Sequence, residues 1–323
     1  MIRLGFIGAG IIAESHAKAV RKSGLAEVVS VYAPDESAGR LAASCGARAA
    51  ASAADVIASP EIDAVFILSP THTHADLLRR VHAAGKHVLC EKPLVRTVAE
   101  ADEIAALFAG YRPVAMAGMV LRFWPEYRQL RDSVKAGDIG SIGTIRMVRG
   151  VTFPLPSDAW RGDFAKSGGV LLDVGIHDLD FVDWAFGPVT RVFTMRSQPD
   201  ANGRNEYALV VARTVDGAIA HFEISGTEAP GAFYYGFEVA GSAGLIEMDS
   251  RTEPPLTVRP ADGTPPRIAY PMEVTPHCAM VSAFLNAVAT GAPSPVPMAD
   301  GARAARLALA AYQSSQDNAP VEL

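Results

Sequence analysis

Three cysteines in 323 residues, Cys45, Cys90 and Cys278, are too few, too widely spaced and odd in number for a disulfide framework or a zinc ribbon. They are expected as free thiols in a reducing compartment, which points to the cytoplasm. An excess of basic charge is also missing. Lys and Arg number 29 against 35 Asp and Glu, a formal net charge of −6, so there is no electrostatic footprint for nucleic acid or an anionic membrane. The longest uncharged run, 278–299, is broken by Asn286, Pro293, Pro295 and Pro297 and does not read as a membrane span. Met1-Ile2-Arg3 leads straight into the strand-like Leu4-Gly5-Phe6-Ile7, without the basic region, apolar core and cleavage site of a signal peptide. The expected partners are therefore small molecules or further copies of the chain.

What is present is ordinary for a globular enzyme: 49% hydrophobic and 20% charged residues, in a length that suits about two domains. Leu4–Ile7 runs into Gly8-Ala9-Gly10-Ile11-Ile12-Ala13 and then into a helical pattern through Val20. In this strand, turn and helix, Gly8 permits the turn, Gly10 lets a pyrophosphate approach the backbone, and small Ala13 allows close helix packing. A second strand, Val28–Tyr32, ends in Ala33-Pro34-Asp35-Glu36, where a dinucleotide fold usually places an acid for the ribose hydroxyls. Asp35 reads equally as that acid or as a helix cap. Ala64–Leu68 ends in Ser69-Pro70-Thr71-His72-Thr73-His74, and Lys86–Cys90 in Glu91-Lys92-Pro93; in parallel sheets, ligands lie beyond such strand ends. The His72-x-His74 pair lacks nearby Cys or carboxylate partners, so helix-start residues are preferred to a metal site. An isolated Lys92 would by default pair with an acid. The last strand-like run is Val114–Met119, and the composition changes near Leu121.

From Gly143 onward short β-rich runs follow one another: 144–153, 190–197, 207–214, 218–225, 233–240 and 245–248. Lacking helices between most of them, they imply an antiparallel sheet. The Pro-rich 253–271 reads as a surface excursion, and 299–315 as a final helix. Among the strands lies Ser167-Gly168-Gly169-Val170-Leu171-Leu172-Asp173-Val174-Gly175-Ile176-His177-Asp178-Leu179-Asp180. Helical from about Leu171, it puts Asp173 and His177, four residues apart, on one face. The imidazole can take a proton near neutral pH while the carboxylate orients it or holds a hydroxyl. The two glycines before it would admit another molecule close to the backbone. Taken alone, the pair reads more readily as a cap and a satisfied core histidine.

With both halves in view, the whole chain resembles the glucose-fructose oxidoreductase and inositol dehydrogenase (Gfo/Idh/MocA) family. The resemblance rests on Gly8-Ala9-Gly10, Ser69-Pro70-Thr71-x-Thr73-His74, Gly85-Lys86-His87-Val88-Leu89-Cys90-Glu91-Lys92-Pro93, Trp160-Arg161 and the stretch from Gly168 to Asp180. It implies an α/β chain: an N-terminal Rossmann domain with a doubly wound parallel sheet (1–121), then a C-terminal α/β domain (122–323) with a large, mostly antiparallel open sheet. The C-terminal helix has room to pack back on the first domain. It implies NAD or NADP as cofactor, held by Gly8, Gly10, Ile11, Ile12, Ala33, Asp35, Ser69, Pro70, Thr71, His74, Glu91 and Lys92. Lys92, Asp173 and His177 match the catalytic positions. Arg122, Trp124, Trp160 and Arg161 are candidates for the substrate pocket, and no metal is expected. The implied reaction moves a hydride between nicotinamide and a secondary alcohol or ketone of a sugar, cyclitol or related polyol, in a homodimer or homotetramer. The rivals are an NAD-dependent glycoside hydrolase, a non-catalytic nicotinamide sensor, and a bilin or imine reductase on the same scaffold. The chain departs from the family pattern at Ser167, where many members have a third glycine, and at Ala33, which lacks the usual acid.

Overall fold

The computed structural model describes residues 1–153, 159–198, 206–252, 256–260, 267–269 and 275–323. The chain forms two compact units, one of Met1–Phe123 with Val274–Ala305, the other of Trp124–Glu273 with Arg306–Leu323. The sequence suggested a linear split near Leu121; in the structure the first unit takes in a second, distant stretch of chain.

The first unit is built on strands β1 (Ile2–Ile7), β2 (Ala26–Tyr32), β3 (Arg48–Ala49), β4 (Ala64–Ile67), β5 (His87–Glu91) and β6 (Ala115–Gly118). They lie in the order β3-β2-β1-β4-β5-β6 with every pairing parallel. A parallel sheet is covered on both faces, which is why β4 reads Ala-Val-Phe-Ile without alternation and is buried throughout. Helices α1 (Ile11–Ser23), α2 (Ser37–Cys45), α3 (Ala53–Ala58), α4 (His74–Ala83) and α5 (Val98–Leu107) follow successive strands. α1 buries Ala13, His16, Ala17 and Val20, the stripe expected of 3.6-residue periodicity. Strand order reverses between β1 and β4, and in such sheets the crevice beyond that point takes the ligand.

In the second unit α6 (Pro125–Ala136) leads into β7 (Ile142–Val151), the short helices α7 (Ala159–Gly162) and α8 (Phe164–Ser167), and a π turn over Leu171–Gly175 that continues as α9 (Ile176–Ala185). Strands β8 (Val189–Arg196), β9 (Tyr207–Thr214), β10 (Ile219–Ser225), β11 (Phe233–Gly241), β12 (Gly244–Asp249), β13 (Leu256–Pro260) and β14 (Arg267–Ala269) follow. Of the last helices, α10 (Pro276–Thr290) belongs to the first unit, and α11 (Met298–Asp317) is divided between the two at Ala305. β15 (Val321–Glu322) completes a nine-stranded sheet in the order β14-β13-β12-β11-β7-β10-β9-β8-β15. The sheet is antiparallel except that β7 and β10 run parallel. The expected surface excursion at 253–271 contributes β13 and β14 to its edge, the remainder lying outside the described residues. Burial alternates along β9 and β10: Ala208, Val210, Ala212, Ala220, Phe222 and Ile224 face inward. Met195, Val211 and Ile219 stand exposed on the other face. Among the described residues, no helix is long and apolar enough to cross a membrane.

Candidate active site

The carboxyl ends of β1, β4 and β5 gather one group of the expected residues within the first unit. Gly8 follows β1 with φ 115° and donates its N–H to the Tyr32 carbonyl at 2.8 Å. A Cβ there would run into the backbone of Leu68 and Ser69, so the close approach of two strand ends requires glycine. Gly10 heads α1 for a different reason. A Cβ on it would meet nothing within 4 Å, and no side chain caps the helix start. Open space in front of uncapped N–H groups suits a pyrophosphate, so the residues present fit a dinucleotide. Ile11, 67% exposed, and Ile12 border this opening.

At the end of β2, Ala33 is half-buried and Asp35 is exposed. Asp35 accepts the Ser37 N–H at 2.8 Å, and this bonding holds its carboxyl below the usual range. It thus opens α2 while staying an anion beside Glu36. After β4, the Ser69 and Thr73 hydroxyls bond at 2.6 Å around the turn that contains Pro70 and buried Thr71. His74, 1% exposed, directs Nε2 at the Ser69 carbonyl and Nδ1 at the Pro93 carbonyl, each at 2.8 Å. Burial pushes its imidazole below the ordinary value, against the pull of the two carbonyls. Glu91 ends β5 with its carboxylate 2.7 Å from His16 Nε2. Burial opposes the Glu91 charge, but the His16 bond holds its carboxyl below the usual range. Lys92 follows, its amide donating to Glu91 Oε2 at 3.1 Å.

A second group lies within the second unit. Asp173, 6% exposed, sits in the π turn, and His177 is half-buried in the first turn of α9. Closed by i→i+5 bonds, a π turn holds more residues than an α turn, so positions four apart stay on one side. Arg161 brings its Nε to 3.5 Å from Asp173 Oδ2, and its guanidinium lies 5.2 Å from the Trp160 ring. Opposite, Arg149 from β7 grips Asp178 with two bonds of 2.6 and 2.9 Å and fixes α9 to the sheet.

The start of this helical stretch is capped from far along the chain. Glu206 accepts the Val170 N–H at 2.8 Å, and the Tyr312 hydroxyl accepts the Leu171 N–H at 3.0 Å while donating to Glu206 at 2.8 Å. Gly168 and Gly169 both have left-handed backbones, φ 82° and 74°. A Cβ on Gly168 would strike Leu172, and one on Gly169 would strike Tyr312 and Glu206. These glycines admit the chain's own side chains, which corrects the expectation that they open the backbone to another molecule.

Of the expected site residues, the structure thus groups Gly8, Gly10, Ser69, Pro70, Thr71, His74, Glu91 and Lys92 at neighbouring strand ends of one unit. It groups Trp160, Arg161, Asp173 and His177 in the other. Trp124 packs edge-on against Tyr127 and Tyr235 at 6.1 and 4.5 Å. Arg122, 6% exposed, donates to Asp300 at 2.6 Å. Sequence reasoning missed His16, Glu206 and Tyr312. His16 had a signal, being the polar member of an apolar stripe on α1.

Comparison with known proteins gives a consistent picture. A family model described as an oxidoreductase family with an NAD-binding Rossmann fold matches residues 2–119, and one for the GFO/IDH/MocA C-terminal domain matches residues 127–247. The chain is 34% identical to the rhizopine catabolism protein MocA of Rhizobium meliloti over 57% of each chain. It is 29% identical to inositol 2-dehydrogenase of Rhizobium meliloti (strain 1021), over 100% of this chain and 99% of that one. In fold it is similar to levoglucosan dehydrogenase in complex with NADH and levoglucosan, with a TM-score of 0.90, 22% identity and 99% of both chains covered.

Proposed function

The chain belongs to the Gfo/Idh/MocA family of NAD-binding oxidoreductases, and we propose that it is a dehydrogenase acting on a secondary alcohol of a sugar, cyclitol or related polyol, or on the corresponding ketone. The observation that carries the reading is the lysine placed at the end of β5, on the same edge of the sheet as the uncapped Gly8–Gly10 turn. A bound nicotinamide supplies the hydride acceptor or donor. The chain supplies the rest. In this reading His177 takes the hydroxyl proton, the Lys92 ammonium holds the oxygen as negative charge develops, and Asp173, oriented by Arg161 at 3.5 Å, binds a neighbouring hydroxyl. Trp160 and Arg161 border the polyol, an indole face and a guanidinium suiting ring carbons and hydroxyls respectively. The reading requires the two groups of residues to meet on one substrate.

NAD is the expected cofactor rather than NADP. A 2′-phosphate would arrive beside the anions Asp35 and Glu36, and the only basic side chain from 33 to 40, Arg40, pairs with Glu36 at 3.8 Å. The reading includes a homodimer or homotetramer, supported by the exposed Met195, Val211 and Ile219 on the sheet, and a reducing cytoplasm, supported by the free thiols Cys45, Cys90 and Cys278. Light scattering on the purified protein checks the first.

A panel of sugars and inositols assayed with NAD and NADP in parallel tests substrate class and cofactor together. Lys92→Ala and His177→Ala should keep cofactor binding and lose about 10²- to 10⁴-fold in turnover. Wild-type rates in either variant remove that residue from the mechanism. Release of free sugar without net NADH would instead show glycoside hydrolysis.

A further inference from the structure

Two buried histidines converge on the backbone around Lys92 without any need to touch a ligand. On the amide side, the Lys92 N–H donates to Glu91 Oε2 at 3.1 Å, while Glu91 Oε1 meets His16 Nε2 at 2.7 Å. His16 is fully buried on α1 and Glu91 is 5% exposed. On the carbonyl side, the next residue's carbonyl, that of Pro93, faces His74 Nδ1 at 2.8 Å, and the other nitrogen of that ring faces Ser69 at 2.8 Å. The Lys92-Pro93 dipeptide is therefore tied to α1 through one imidazole and packed against His74 on its other side, where the single N–H of the neutral ring bonds one of the two carbonyls, Pro93 or Ser69, according to the tautomer. The third neighbour closes the arrangement: the His277 ring of α10 stands edge-on to His16 at 5.8 Å.

We propose that His16 and His74 are positioning residues for Lys92, fixing the backbone from which its ammonium reaches the substrate oxygen. This inference rests on the role given to Lys92 above. Its physical basis is the length of the side chain: a lysine carries four rotatable methylenes, so an error at the backbone is multiplied at Nζ, and about 1 Å of misplacement costs about 100-fold in rate. A strand-end loop would ordinarily be free to make that error. Here it cannot shift without leaving a buried carboxylate or a buried carbonyl unpaired, each costing about 1–3 kcal/mol. The same contacts give His74, expected from the sequence to touch the cofactor, a different task, since both of its nitrogens are turned to backbone carbonyls.

The test uses the full-length protein and two readouts. The first is independent of turnover: labelling of Lys92 by trinitrobenzenesulfonate, followed by peptide mass spectrometry. His16→Leu and His74→Leu should change the Lys92 labelling rate at least about 3-fold, while His16→Gln and His74→Gln, which keep one donor, should recover part of it. The second is a kinetic cycle. Each Leu variant should lower kcat about 10- to 100-fold at nearly constant substrate KM, and adding it to Lys92→Ala should cost nothing more. Unchanged labelling in folded variants, or losses that add to that of Lys92→Ala, overturns the positioning role. Full turnover by Lys92→Ala alone would instead remove the catalytic role of Lys92, and the labelling result would still decide what the histidines do. Should the Leu variants not fold, the Gln pair carries the same comparison with smaller changes.

Discussion

The two units bury polar groups of different kinds. In the first, imidazoles make the contacts nearest Lys92, His16 on Glu91 and His74 facing two carbonyls, while one arginine pair, Arg122 on Asp300, lies elsewhere in the unit. In the second the inner contacts are made by guanidinium groups: Arg149 on Asp178, and Arg196 at 3.2 Å from Glu206 beneath the cap formed with Tyr312. Burial works against the charge of Arg149, but Asp178 more than compensates and holds the guanidinium above even its ordinary value. The Arg149 guanidinium keeps its charge at any ordinary pH, whereas the buried His74 imidazole is a group that can change its protonation state.

The largest break in this comparison comes from cutting an arginine pair. Asp178→Ala leaves the Arg149 side chain, 3% exposed, as an uncompensated buried charge, at a cost of about 3–5 kcal/mol. Hydrogen exchange should show β7 and α9 losing protection while β1, β4 and β5 keep theirs. A loss below about 1 kcal/mol would mean that the pair is solvated and adds little.

Gly169→Ala strikes the cap instead of the pair. The left-handed backbone costs about 1–2 kcal/mol for an alanine, and the methyl group pushing on Tyr312 and Glu206 adds about 1–3 kcal/mol of overpacking. The variant should melt earlier and lose turnover, because the displaced cap loosens the π turn that carries Asp173. Unaltered melting would show that Tyr312 can move aside.

These two sites also mark the limit of what could be read from the sequence. The Gly8–Gly10 turn, the strand ending in Lys92 and the six short strands of the second half are local patterns, written in adjacent residues, and the structure contains each element within a few residues of the expected span. The π turn is not local. Its cap comes from Glu206, 36 residues after Val170, and from Tyr312, 141 residues after Leu171. The pairing of Arg122 with Asp300 spans 178 positions, and nothing in adjacent residues signals it. The parallel β7–β10 pairing and the strands within 253–271 depend on neighbours of the same kind, which periodicity cannot supply.

A smaller effect contrasts the distant cap with a local one. α5 starts in a capping box, with Thr97 accepting the Glu100 N–H at 3.2 Å and the Glu100 carboxylate accepting the Thr97 N–H at 3.0 Å. Thr97→Ala should cost about 1 kcal/mol, confined to the exchange of α5 amides, and leave turnover as it was. A change in turnover would show that strain at the start of α5 reaches further than its local bonding implies.

The smallest effect is graded and follows pH. Burial holds the imidazoles of His74, His87 and His277 in the first unit below their ordinary value. A base whose value is lowered in the fold binds fewer protons folded than unfolded, so stability rises with pH across the interval between the two values. The stability is present in full above about 6.5, the unfolded value, and drains away as the pH falls from there through the lowered values. Glu91, held low, begins to lose its contribution only in the more acid range, below its ordinary value. The second unit contributes His221, half-buried and lowered by burial and by Arg146 beside it, but its inner contacts are the arginine pairs. Exchange measured at about pH 7.5 and about pH 5, corrected for the intrinsic rate, should therefore show α4 and β5 losing protection before β7 and α9. His74→Gln, which cannot take up the proton, should flatten that difference, and equal losses in both units would show that the arginine contacts are no less sensitive to acid than the histidine ones.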